Sequence, residues 1–347
     1  MTTNVFLKDV FFLKSGTLDK IEAYINDFMS ILSEAVGDKK IEELLDPSLF
    51  FSELVSVIKD GGGRAVSFFV LLMLSALVCY LASIYEGRLS STAMSCVCIV
   101  SLSPAIYELL ALAEETSVGL SRICSFFSSV IPILLSVVVA GGGGNSSVAL
   151  GAQMSFVASA TQVISLELLL PMVRAVLILG AASSLGGAGS QRVISMFRLI
   201  LTRGIGAITA IVCAIFSLQS IIASAADSAA LRLAKFTAQS LAPAVSAIIG
   251  ASMSTISSGL AYSRGVIGAG AIGAILWIML SPCSMIIIYR FLIGIVKGIS
   301  DALETKPLSR SLETMQNALD GLLSVFLVSV VLFVFELIVF IKCGVQI

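Results

Sequence analysis

Long apolar runs separated by short polar connections occupy most of the chain. The clearest run is Leu322 to Ile341, in which Glu336 is the only charged residue. Crossing a hydrocarbon core of about 30 Å takes about 20 apolar residues. Within that core, a helix satisfies every backbone hydrogen bond inside one segment. The pattern therefore predicts an all-α, polytopic integral membrane protein.

Two kinds of apolar run are present. Runs about one bilayer thick predict single crossings, and these are residues 65–85, 92–113, 123–140, 205–223 and 322–341. Two longer runs, 147–185 and 265–299, contain Pro171 and Pro282, which are predicted helix breaks because proline removes a helix hydrogen bond. Each longer run could cross once or form a hairpin of two crossings. The sequence therefore predicts about seven to nine membrane segments.

The chain is expected to have an N-terminal segment, a first group of transmembrane helices and a membrane body. These parts are residues 1–60, 61–144 and 145–347. Within the body, two broken-helix units follow the same order of parts: an interrupted apolar run, a polar segment and a closing span. The units are 145–224 and 265–341, and the Ser/Ala-rich segment 225–264 joins them. Inverted repeats with broken helices place polar pathways in many transporters, so we hypothesise an inverted repeat.

The N-terminal segment is polar and acidic. It contains 11 of the 22 acidic residues and 6 of the 21 basic ones. Residues 17–36 have apolar positions at helical spacing and predict an amphipathic helix. A second polar-faced segment, 41–59, is interrupted at Asp46-Pro47, and Gly61–Gly63 is expected to break the chain before the first span. The acidic charge argues against a nucleic-acid partner, which would require clustered Lys and Arg.

The composition also argues against catalysis. Only 12% of the residues are charged and 57% are hydrophobic, and the chain has no histidine. The usual general base and the commonest zinc ligand are therefore missing, and no nucleotide-binding or hydrolase motif is present. Most of the seven cysteines lie in apolar runs, where packing is the favoured role; Cys96 and Cys98 would face different directions on a helix. We expect no catalytic residue, no bound metal and no cofactor.

Four charged residues inside the apolar runs are candidate functional residues: Glu167, Arg174, Arg290 and Glu336. A charge in hydrocarbon costs about 2.5–3.5 kcal/mol on insertion scales, so each requires a partner or a water-filled cavity. Glu167 could pair with Arg174 two helical turns away, and Arg290 could bridge to Glu336. These residues could line a pathway, or they could be structural pairs or snorkelling side chains.

A glycine-rich stretch, Gly268 to Gly273, matches the G-x-G-x-x-G pattern of dinucleotide sites. That site requires a strand before the motif, whereas here the motif begins an apolar helix. Gly265, Ala269 and Gly273 instead have the small-xxx-small spacing that allows helices to approach closely in lipid. Helix packing is the favoured interpretation.

The second half of the chain resembles a known family. Residues 229–243, AALRLAKFTAQSLAP, are followed by a small-residue helix, and Thr305-Lys-Pro-Leu leads into the last span. This order of segments is similar to that of the stage III sporulation protein AE family from about Gly142 to the end. The motif positions that transfer are Arg232, Ala234 and Lys235. Members commonly begin with a signal peptide, which we do not find here, so the side occupied by residues 1–60 stays open.

The resemblance implies a membrane subunit of the sporulation channel, or feeding apparatus, that links mother cell and forespore and is needed for late forespore development. It implies a permease-like, multi-pass protein of the mother-cell membrane around the forespore. Its implied partners are the other membrane proteins of the stage III A complex and a separate ATPase subunit. A free-standing secondary transporter and a purely structural membrane scaffold are the alternatives.

Overall fold

The computed structural model describes five segments of the chain and four isolated positions between residues 195 and 206. The segments are residues 22–37, 39–84, 91–140, 144–182 and 243–343. Within them the secondary structure is helical, without strands, which confirms the predicted all-α class. Apart from Gly206, the predicted span 205–223 lies outside the described residues, as do residues 225–242 of the joining segment and most of the first repeat unit after residue 182.

Eight α-helices and one π-helical stretch form the described structure. In chain order they are α1 (22–36), α2 (Ile41–Leu44), α3 (Pro47–Ile84), α4 (Ser91–Ala140), α5 (Gly144–Gln162), the π-helical stretch Val163–Leu169, α6 (Leu170–Ala182), α7 (Pro243–Ala302) and α8 (Lys306–Cys343). Five stretches are long and apolar enough to cross a membrane: Pro47–Ile84, Ala93–Val139, Gly151–Gly180, Gly265–Ala302 and Lys306–Ile341.

The interruption predicted at Asp46-Pro47 is present. Asp46 caps the start of α3, and its Oδ1 accepts hydrogen bonds of 2.8 Å from both the backbone N–H and the hydroxyl of Ser48. These hydrogen bonds lower the pKa of Asp46 below its ordinary value. Pro47 occupies the first helical position, where its missing N–H leaves no hydrogen bond unmade.

Several other predicted breaks are wrong. Helix α3 continues through Gly61–Gly63. The predicted spans 92–113 and 123–140 belong to the single 50-residue helix α4, which contains Pro104 and Pro132. In a poorly hydrated environment, losing one hydrogen bond at a proline costs less than exposing several backbone groups at a chain reversal. Continuous helices therefore replace the expected turns.

The two proline-containing long runs are also continuous helices. Pro282 lies inside α7 and does not end it, and a Cβ added at Gly119 of α4 would lie 2.9 Å from its ring. Pro171 is the second residue of α6, directly after the π-helical stretch, and the chain stays helical from 144 to 182. As far as the structure describes them, to residue 182 in the first case, the runs are thus single helical passages rather than hairpins of two crossings.

The helices enclose two buried clusters, one beyond the other along the long helices. The first cluster contains residues of α3, α6, the first half of α4, the second half of α7 and the first half of α8, such as Phe68, Leu109, Val173, Tyr289 and Leu319. The second contains residues of α1, α2, α5, the middle of α7 and the second halves of α4 and α8, such as Phe28, Phe127, Met154, Ile275 and Phe333. Helices α4, α7 and α8 connect the two clusters.

Candidate functional site: a polar seam between α5 and α8

Glu336 is the carboxylate buried most deeply within the described residues. It lies in the second half of α8 with 2% of its surface exposed. Its neighbour is Gln153 of α5, itself 3% exposed, whose Nε2 donates to the two carboxylate oxygens at 3.4 and 3.3 Å. Apolar side chains of the second cluster, such as Leu337 and Met154, surround this pair.

A second polar contact joins the same two passages about two helical turns away. The hydroxyls of Ser165 and Ser329 lie 2.8 Å apart, and both side chains are buried. Ser329 precedes Glu336 by seven residues, which corresponds to about 10 Å along a helix, so both lie on the same side of α8. We call Gln153, Ser165, Ser329 and Glu336 the α5–α8 seam.

The π-helical stretch forms one wall of this seam. Residues Val163–Leu169 contain Ser165, and the backbone N–H of Leu170 donates to the Ser165 carbonyl, which closes the wider turn. A π-helical turn within an α-helix carries an extra residue per turn and is frequent at functional sites. Ser165 consequently faces Ser329 while Glu167, two positions later, is exposed.

Within the described segments, the Glu336 carboxyl group of the seam has no basic side chain paired with it. None of the ion pairs in the described segments includes Glu336. Burying an unpaired charge is costly, so the carboxyl group can hold a proton or interact with a passing cation. The Gln153 amide beside it can donate a hydrogen bond to the ionised carboxylate, and an amide oxygen can accept one from the protonated form.

The ion pairs differ from those expected. Arg174 pairs with Glu114 of α4 rather than with Glu167. Arg290 pairs with Asp320 across the α7–α8 hairpin rather than with Glu336. Spacing along one helix could not anticipate these pairs because each joins two helices. The side chains of both pairs are partly exposed on the helix surfaces.

A further group of charges connects α3 and α4. The Arg64 guanidinium donates to Glu115 at 2.7 Å and lies 4.0 Å from Glu108. Tyr289 of α7 lies close to Arg64, and its buried hydroxyl has no hydrogen-bond partner among the described residues. Arg64 directly follows the three glycines Gly61–Gly63.

The glycines proposed for helix packing have different surroundings. A Cβ at Gly273 would lie 3.1 Å from Leu44 of α2, whereas one at Gly265 would meet nothing within 4 Å. A Cβ at Gly268, by contrast, would lie 2.5 Å from the Ile341 side chain of α8. The G-x-G-x-x-G stretch lies within α7, without the strand that a dinucleotide site requires.

Sequence reasoning identified Glu336 but missed Gln153, Ser165 and Ser329. The available signal was the seven-residue spacing between Ser329 and Glu336 in an otherwise apolar run. The proposed motif residues Arg232, Ala234 and Lys235 lie outside the described residues.

The long apolar helices define a membrane protein whose described part is all-helical. The family model for stage III sporulation protein AE matches residues 25–344. The chain therefore belongs to the stage III sporulation protein AE family, and the match begins well before Gly142, where the resemblance was expected to start. No curated protein and no solved structure matches the chain.

Proposed function

We propose that this protein is a membrane subunit of the channel, or feeding apparatus, that links mother cell and forespore. Membership of the stage III sporulation protein AE family carries the proposal. The five apolar helices are consistent with a multi-pass protein in the mother-cell membrane around the forespore. The partners proposed are the other membrane proteins of the stage III A complex.

The protein is proposed to act without catalysis of its own. Its sequence contains neither histidine nor a nucleotide-binding motif, so a separate ATPase subunit is the proposed source of energy. The α5–α8 seam is the proposed working part, because it combines a buried, unpaired carboxyl group with a π-helical stretch. The seam either lines a pathway through the membrane or changes its packing when a partner protein acts on α8.

The test is substitution in sporulating cells. We expect Glu336→Leu to reduce heat-resistant spores and late forespore gene expression by at least about tenfold, while the protein stays in the membrane at its normal level. Glu313→Gln is the matched control, since Glu313 lies on α8 but pairs with Lys297 on the surface. Normal sporulation of cells that carry Glu336→Leu would show that the seam has no part in the proposed function.

Complex assembly, measured by copurification, and solute uptake in liposomes together separate the alternatives. A scaffold role predicts that Glu336→Leu leaves both complex assembly and sporulation intact. A free-standing secondary transporter predicts solute uptake by the purified protein in liposomes without other subunits. The proposed function predicts no uptake by the protein alone, together with an assembled but inactive complex for the Glu336→Leu variant.

A further inference from the structure

A groove runs along one face of α4, between α1 and α7. Its wider part has a volume of about 740 Å³ and is bounded by residues such as Tyr107, Leu110 and Pro282. The narrower part, of about 550 Å³, is bounded by residues such as Ile31, Glu34 and Phe126. Val118, Arg122 and Ile278 border both parts, which makes the groove continuous.

Two opposite charges face the narrower part of the groove without pairing with each other. Glu34 of α1 and Arg122 of α4 both border it and are exposed. Neither forms an ion pair with another residue of the described segments. The acids of the wider part, Glu114 and Glu115, are instead neutralised by Arg174 and Arg64.

Arg122 also lies where an uncharged stretch of α4 begins. Residues 123–140 contain no charged side chain and extend over about 27 Å as a helix, close to the thickness of a hydrocarbon core. The hydroxyl side chains of Ser121, Ser125 and Ser129 border the same part of the groove. A cation flanked by hydroxyls at this position is suited to the depth of lipid headgroups.

We propose that this groove binds an aminophospholipid of the phosphatidylethanolamine type. The Arg122 guanidinium binds the lipid phosphate, for which its planar donors are well suited. The Glu34 carboxylate accepts hydrogen bonds from the ammonium group. Val118, Phe126 and Ile278 provide apolar walls for the upper part of the acyl chains. A zwitterionic headgroup satisfies both unpaired charges, whereas an anionic one would satisfy Arg122 and repel Glu34.

The experiment measures lipid retained by the full-length protein purified in detergent. Native mass spectrometry counts bound molecules as phosphatidylethanolamine, phosphatidylcholine or phosphatidylglycerol is added. We expect phosphatidylethanolamine to bind about three- to fivefold more tightly than phosphatidylcholine, the net effect of one hydrogen bond to Glu34. The choline group is the informative comparison because it keeps the positive charge and has no N–H to donate.

Two variants separate the roles of the charges. Glu34→Gln is expected to abolish the preference for phosphatidylethanolamine over phosphatidylcholine but to keep phospholipid binding. Arg122→Gln is expected to weaken binding of both lipids. Glu22→Gln on α1 and Arg310→Gln on α8 are controls, since both residues are charged and lie away from the groove, and binding should match the original protein.

Three results would overturn the proposal. The first is equal retention of all three lipids, and the second is a preference for phosphatidylglycerol, which would indicate an anion site. The third is equal competition by inorganic phosphate, which would show that the acyl chains do not contribute. To separate binding from misfolding, the conservative variant Glu34→Asp keeps the carboxylate and should retain the preference for phosphatidylethanolamine. Because this groove lies apart from the α5–α8 seam, its failure leaves the proposed function intact.

Discussion

The Sγ atoms of Cys79 and Cys98 lie 2.9 Å apart between α3 and α4, and both side chains are fully buried. Both are free thiols. The contact lies beside a hydrogen bond of 2.6 Å from the Ser75 hydroxyl to the Ser101 carbonyl. Small, weakly polar groups therefore form this part of the contact between α3 and α4.

Oxidation of the purified protein should link these two cysteines. With copper phenanthroline and oxygen, the thiols of Cys79 and Cys98 each lose a hydrogen to oxygen and form one intrachain disulfide. After unfolding, the oxidised protein should react with maleimide at two fewer cysteines than the reduced protein. Measuring label by mass spectrometry of peptides checks the assignment.

Cys96 provides the control for this cross-link. It is exposed, whereas Cys98 is buried, which agrees with the different directions expected for i and i+2 on a helix. Cys96→Ser should leave the disulfide unchanged, and Cys98→Ser should prevent it. A disulfide that depends on Cys96 would contradict the arrangement of α3 and α4.

Gly119→Ala should destabilise the protein. The added Cβ would lie 2.9 Å from the Pro282 ring and 3.8 Å from Phe326, and a proline ring cannot rotate away. Overpacking of this kind costs about 1–3 kcal/mol, measured as the free energy of unfolding in detergent. Gly62→Ala is the matched control, since no atom lies within 4 Å of its added Cβ; it should stabilise α3 by about 0.5–1 kcal/mol. Equal effects at both glycines would show that α4 and α7 do not meet at this point.

Acid should weaken the start of α3. Because hydrogen bonds from Ser48 lower the pKa of Asp46 below its ordinary value of 3.8, the folded state favours the ionised form. This stabilisation is fully present above the ordinary pKa and is lost as the pH falls through the lower, folded-state value. Asp46→Asn should keep a cap and lose this component of the pH dependence.

Hydrogen exchange of the first turn of α3 between pH 6 and pH 3 provides the measurement. Exchange rates are first corrected for their intrinsic pH dependence. The protection of the Ser48 amide should fall with acid in the original protein and stay flatter in Asp46→Asn. Identical profiles would mean that Asp46 does not cap α3. Glu43→Gln, in the neighbouring α2, is a control for general charge effects.

The two serines of the α5–α8 seam should be energetically coupled. Ser165→Ala or Ser329→Ala alone leaves one buried hydroxyl with a lost partner, while the double variant removes both. A double-mutant cycle should give a coupling of about 0.5–1.5 kcal/mol in the free energy of unfolding. A coupling near zero would show that Ser165 of the π-helical stretch does not interact with Ser329 of α8. Ser324→Ala supplies the baseline, since its exposed hydroxyl donates only to the Asp320 carbonyl.

The apolar pattern predicted much of this fold because bilayer thickness and backbone hydrogen bonding constrain it directly. It gave the all-helical class, the interruption at Asp46-Pro47 and the closing helix that contains Glu336. The same pattern misplaced the helix ends at Gly61–Gly63 and between residues 113 and 123. Glycine and proline are local signals, and in these places the packing of α3 on α7 and of Gly119 on Pro282 determines the outcome.

The candidate site was less accessible to sequence reasoning. Glu336 is conspicuous as a single charge in an apolar run, but its partner Gln153 lies 183 positions away along the chain. The pairing of Arg174 with Glu114 has the same cause, since the partner lies on another helix. Nothing in one sequence gives the distances between helices, so neither partner could be inferred from spacing.

Helix α4 is about 75 Å long. Its two halves belong to different buried clusters. A hydrocarbon layer of about 30 Å can enclose less than half of that length. A tilt of about 10° around its middle would displace either end by about 6 Å, far more than the spacing between packed atoms. Because α4 belongs to both buried clusters and does not end at Pro104 or Pro132, a tilt imposed on its packing in one cluster would shift its packing in the other by a similar distance, in the opposite direction.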